Sequence, residues 1–108
     1  REARRGAAYD GVILDPPKFG RGPKGEVWEF YRLLPDLLQA CQAILSRQPA
    51  FLVLTAYAVK ASAVTLYYAL LEKMSRYGGA VSAGEVLLSE KSAGRQIAMA
   101  IYGRWSAQ

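Results

Sequence analysis

Histidine is absent from the 108-residue sequence and cysteine occurs once, at Cys41. Without imidazole, a Ser-His-Asp type of site cannot be built, and one thiol cannot close a zinc centre. A single cysteine also forms no internal disulfide, which accords with a reducing compartment, and a cytoplasmic location is expected. No apolar run approaches the roughly 20 residues needed for a spanning helix, and no secretory signal pattern is present, so no membrane partner is expected. Repeats and low-complexity tracts are lacking too, and no internal boundary divides residues 1–108, which read as part of one domain. Acidic residues are in deficit: nine against fourteen Lys and Arg, a formal charge of +5. Residues 1–25 carry Arg1, Arg4, Arg5, Lys18, Arg21 and Lys24 against Glu2, Asp10 and Asp15. Such a surface fits a polyanionic partner and equally fits a well-solvated basic face.

What is present is a succession of strand and helix patterns. Arg1 to Gly6 reads as the tail of a helix stopped by glycine, as in a fragment excised from a longer chain. Tyr9 to Asp15 contains Val12-Ile13-Leu14 and runs into two prolines, the pattern of a strand buried on both faces that ends at Asp15. Residues 20–25, Gly-Arg-Gly-Pro-Lys-Gly, read as a flexible loop. From Glu26 to Ser46, Leu34, Leu37, Leu38, Cys41, Ile44 and Leu45 recur at helical spacing, with Pro35 predicting a kink or a break. Phe51 to Tyr57 is a second buried strand. A second helix follows, capped by Ser62, with an apolar stripe of Val64, Tyr67, Tyr68, Leu71 and Met74, and stopped at Gly78-Gly79. Val81 to Ser89 and Arg95 to Trp105 form an antiparallel hairpin. The order strand, helix, strand, helix, strand, strand predicts an α/β sheet whose first two strands are parallel, ending in an antiparallel hairpin.

Ligands of open α/β sheets bind beyond the carboxyl ends of the strands, which is where Asp15 and Thr55 to Tyr57 are expected. Pro16 and Pro17 make a stiff shelf whose carbonyls accept hydrogen bonds while their nitrogens donate none. Phe19 can stack on an extruded base, and Lys18, Arg21 and Lys24 can meet phosphates. Each residue also has a plainer reading. Asp15 can end a strand and begin a turn, Phe19 and Tyr57 can pack, and the basic loop can be a solvated linker. Tyr67 and Tyr68 read as packing residues, and Cys41 as a small core hydrophobe.

The run Tyr9-Asp10-Gly11-Val12-Ile13-Leu14-Asp15-Pro16-Pro17-Lys18-Phe19 resembles the fourth conserved motif of class I S-adenosylmethionine-dependent methyltransferases. Its Asp-Pro-Pro-Lys-Phe form is similar to that of the ribosomal RNA methyltransferases of the large-subunit cytosine-C5 group and their bacterial relatives. The continuation from Gly20 to Trp28, and Leu54-Thr55-Ala56-Tyr57, are similar to a bacterial subgroup of those relatives. The resemblance spans nearly the whole chain and implies the C-terminal half of a Rossmann-like methyltransferase sheet, strands four to seven. It implies S-adenosyl-L-methionine as cofactor, faced by Asp15 and Pro16, and a catalytic loop of Asp15, Pro16, Pro17, Lys18 and Phe19. Phe19, Arg21, Lys24, Thr55 and Tyr57 become substrate-binding candidates, and RNA, ribosomal RNA by the resemblance, the expected partner of the basic loop.

Two departures from the pattern sharpen these expectations. Cytosine-C5 transfer needs a cysteine thiolate, which in the resembling enzymes follows the fifth strand; here that stretch is Thr55-Ala56-Tyr57-Ala58. Cytosine-C5 chemistry is therefore not expected, and the acceptor atom stays open. The glycine-rich first-strand loop and the acidic end of a second strand are also missing, so the 108 residues alone are not expected to bind cofactor measurably. A non-catalytic, methyltransferase-like module that binds nucleic acid or a partner is the alternative reading. With no neighbouring first strand, the strand ending at Asp15 is expected at an open sheet edge, inviting a homodimer.

Overall fold

The computed structural model describes residues 4–16, 19–21, 27–57 and 62–107. Nine short elements follow one another: β1 (Gly11–Leu14), β2 (Phe19–Arg21), β3 (Val27–Glu29), α1 (Phe30–Ile44), β4 (Phe51–Ala56), α2 (Ala63–Met74), a 3₁₀ turn (Ser75–Tyr77), β5 (Ala80–Ser89) and β6 (Gln96–Ser106). The main sheet has the order β1-β4-β6-β5. β1 and β4 are parallel, with Gly11 opposite Phe51 and Leu14 opposite Leu54. β6 then runs antiparallel to both β4 and β5. The predicted α/β sheet with a terminal hairpin is the one observed.

Local differences have local causes. The glycine-rich segment is not simply a loop: Phe19–Arg21 pairs antiparallel with Val27–Glu29, forming a separate two-stranded ribbon. Val27 and Trp28 favour a pleated strand over a helix, so α1 starts at Phe30 and not at Glu26. It then runs through Pro35 as one helix, so of the expected kink or break the break does not occur. The proline removes one donor near the helix start and leaves the rest of the ladder available.

The core lies between the helices and one face of the sheet. Leu34, Leu38 and Cys41 of α1, with Leu45 just beyond it, cluster with Leu52, Leu54, Ala56, Trp105, and Leu66, Leu70 and Met74 of α2. In α2 the predicted stripe is right at Met74, which is buried, and out of phase before it. Val64 and Tyr68 are 58% and 62% exposed, and Leu66 and Leu70 are buried in their place. The sequence of α2 is apolar nearly all round, so spacing alone does not choose the buried face. Tyr67 and Tyr68 instead meet each other edge to face, 5.2 Å between ring centres. Ser62 sits at the N-cap with extended backbone but makes no side-chain cap.

Close helix–sheet packing depends on Gly103. A Cβ there would lie 2.9 Å from Leu70 Cδ1 and 3.0 Å from Leu66 Cβ, so even alanine requires the Leu70 side chain to swing aside and Leu66 to give slightly. Gly78 and Gly79, at φ +69 and +72, turn the chain from the 3₁₀ segment into β5, as the sequence predicts. The indole Nε1–H of Trp105 donates to the Gly78 carbonyl at 2.7 Å and pins this turn to β6.

The alternation of strand residues puts Gly11, Ile13, Phe51, Val53 and Thr55 on the other face of the sheet. Among the described residues no helix covers that face, and Ile13 is 70% exposed. β1 is also an edge strand of the main sheet, as expected. No helix is long and apolar enough to cross a membrane among the described residues.

Candidate active site at the carboxyl ends of β1 and β4

Because β1 and β4 are parallel, both carboxyl ends reach the same rim of the sheet. The Leu14–Leu54 pair is the last in register, so Asp15 and Thr55 follow side by side. The Thr55 hydroxyl donates to Asp15 Oδ1 at 2.6 Å. A longer approach, 3.4 Å, links the same oxygen to the Leu14 carbonyl. One hydroxyl carries one proton, and the 2.6 Å contact lies in the range of a hydrogen bond to a carboxylate. Asp15 itself is exposed and Pro16 half-buried. Tyr57, just past the end of β4, is 55% exposed.

The other predicted residues divide into two groups. Phe19 and Arg21 lie in β2, opposite Glu29 and Val27. Pro17, Lys18 and Lys24 lie outside the described residues. The structure thus brings together Asp15 and Thr55, with Tyr57 two residues further along the chain, just past β4.

A second carboxylate–hydroxyl pair stands at the opposite end of β1, and the sequence reading missed it. Ser46 Oγ donates to Asp10 Oδ1 at 2.6 Å, beside the parallel bridge of Tyr9 to Leu45. β1 is thereby tied at both ends by an aspartate. The only available signal was the pair of aspartates bracketing Gly-Val-Ile-Leu; the hydroxyl partners lie 36 and 40 residues away.

Clefts occur along the sheet among the described residues, two of them, at the hairpin tip and by Asp10, away from Asp15. One of about 550 Å³ lies at the tip of the β5–β6 hairpin between Leu88 and Ile97. One of about 590 Å³ lies by Asp10, Ser46 and Arg47, at the amino end of β1. A smaller one, about 160 Å³, adjoins Tyr57, Glu85 and Met99. The rim is singled out by the chemistry of Asp15 and not by cleft size. No group of three or more His, Cys, Asp or Glu able to hold a metal occurs among the described residues.

Cys41 is buried in α1, and burial pushes its thiol above the usual range. It is a core residue and far from a thiolate nucleophile in character.

No family model and no curated protein matches the chain. Solved structures do. The SAM-dependent methyltransferase from Agrobacterium tumefaciens is 42% identical with a TM-score of 0.93, over 100% of this chain and 36% of that one. The chain thus spans about a third of that protein's length. SMU.776, described as a methyltransferase and solved with SAH, is 17% identical with a TM-score of 0.54, over 96% of this chain and 28% of that one, a likeness of fold alone. The sheet, its two helices and its terminal hairpin therefore match, over the whole of this chain, the α/β fold of one segment of the Agrobacterium SAM-dependent methyltransferase.

Proposed function

We propose that the chain forms the acceptor side of an S-adenosylmethionine-dependent methyltransferase acting on RNA, with Asp15 at the reacting centre. The observation that carries this reading is the fixed carboxylate of Asp15 at the shared carboxyl rim of two parallel strands, in a chain 42% identical to a SAM-dependent methyltransferase. The chemistry of the rim suits the cofactor. Asp15 and the Pro16 carbonyl offer acceptors only, which favours the cationic, donor-bearing methionine end. When bound, S-adenosyl-L-methionine supplies an electrophilic methyl group. The chain's own residues hold the acceptor: Asp15 and the proline carbonyls can accept from an amino group or hydroxyl and align its lone pair. Tyr57 supplies an exposed ring just past β4, and Phe19, Lys18, Arg21 and Lys24 belong to the loop proposed to hold the nucleic acid.

The acceptor is proposed to be nitrogen or oxygen. Cytosine-C5 transfer needs a thiolate, and the one cysteine is in the core. The cofactor ribose and adenine are assigned to a segment outside these 108 residues, within the two thirds of the Agrobacterium protein that the chain does not cover. The comparisons do not favour the alternative of a non-catalytic binding module.

The test is transfer of labelled methyl from cofactor to bulk RNA by the full-length protein carrying this chain, wild type against Asp15→Ala. Loss of transfer with an unchanged melting temperature is expected; equal transfer by both would sink the reading. Digestion of the labelled RNA to nucleosides then identifies the acceptor atom.

A further inference from the structure

We infer that Thr55 is a positioning residue, acting on the reaction through Asp15 and not by touching the substrate. This rests on the reading of Asp15 as a group at the reacting centre.

The sequence denies Asp15 its usual local anchor. An aspartate at a strand end ordinarily steadies its carboxylate on its own backbone, accepting from an N–H two residues on. Here the next two residues are Pro16 and Pro17, and neither nitrogen bears a hydrogen. The dipeptide that stiffens the shelf also strips the carboxylate of its nearest local anchors. The anchor comes from the neighbouring strand instead: Thr55 Oγ1, 40 residues away in sequence, at 2.6 Å.

Three features fit Thr55 for the task. Its β-branched side chain is stiff at χ1, so the hydroxyl is presented in a defined direction. It lies inside the β4–β6 ladder, paired with Tyr102, so its backbone is held along that side of the strand. Its bond engages Oδ1 alone; among the described residues Oδ2 has no partner and stays available to an acceptor. A threonine whose one proton is committed to Asp15 has none to give a substrate.

Full-length enzyme carrying Thr55→Val, Thr55→Ser, Asp15→Asn and the double variant Asp15→Asn/Thr55→Val tests this. Valine keeps the shape and stiffness and removes the hydroxyl; serine keeps the hydroxyl. Thr55→Val is expected to lower kcat by roughly 10- to 100-fold, the scale of a misplaced reacting group. KM for RNA and cofactor affinity should stay within about twofold, since uniform binding is untouched. Thr55→Ser should recover most of kcat, and the double variant should be no slower than Asp15→Asn. Wild-type kcat in Thr55→Val, equal losses in the valine and serine variants, or losses that multiply in the double variant would each overturn the inference. Should Asp15→Asn itself retain full activity, the reading of Asp15 falls and the role of Thr55 with it, an outcome the single variants separate from the others.

Discussion

The side-chain amide of Gln42 donates to the backbone carbonyl of Lys73 at 2.8 Å, joining the last turns of two helices 31 residues apart. The last four carbonyls of a helix have no partner within it, and Lys73 is the penultimate residue of α2. Gln42 therefore acts as a cap supplied from another helix. Gln42→Ala should cost about 1 kcal/mol, the usual net value of such a bond, and lower the melting temperature by roughly 4–8 °C. Thermal unfolding of the two proteins side by side checks it; an unchanged midpoint would show that water replaces the amide.

Cys41 should be inert. It is 4% exposed, and burial holds its thiol protonated at neutral pH. A chromogenic disulfide reagent should leave the native chain unlabelled and titrate one thiol per chain in denaturant. Rapid labelling of the native form would contradict the packing of α1.

The two helices differ in how much of their packing was legible. In α1 the apolar residues fall on one stripe, and the stripe of Leu34, Leu38 and Cys41 is the buried one. α2 is apolar on several faces, and only the tertiary partner, Gly103 with its missing side chain, selects Leu66 and Leu70 over Val64 and Tyr68. The same holds for the site. Asp15 announces itself by its two prolines, whereas the role of Thr55 depends on strand register, which no local pattern encodes.

The hairpin tip should respond to acid. Arg95 and then Ser92 hydrogen-bond Glu90 and hold its carboxyl below the ordinary value. A depressed pKa means stabilisation that is present above the unfolded pKa, about 4.3, and is lost as pH falls through the folded value. The contacts are exposed, so the effect is local fraying and not global unfolding. Amide exchange at Gly94, whose N–H donates to the Glu90 carbonyl, should speed up relative to β6 on acidification, after correction for intrinsic rates. Glu90→Gln should abolish the difference.

The isolated 108-residue chain should self-associate. β1 offers an open strand edge, with the uncovered Ile13 beside it. Sedimentation should show a dimer or larger species at high concentration. Ile13→Lys should shift it towards monomer, and a monodisperse wild-type monomer would refute the expectation.

The sheet order also sets a sequence of assembly. β5 and β6 are neighbours along the chain and close a short loop, whereas β1 meets β4 only across the whole of α1. Loop closure costs more entropy for the longer span, so the hairpin can nucleate early while the β1–β4 ladder joins late. The contact between Asp15 and Thr55 forms only when that ladder is in register. A slip of one residue would turn the threonine hydroxyl to the other face and leave the carboxylate without its anchor. The rim is thus among the last parts of the chain to be built, and its hydrogen bond is a proofreader of strand alignment.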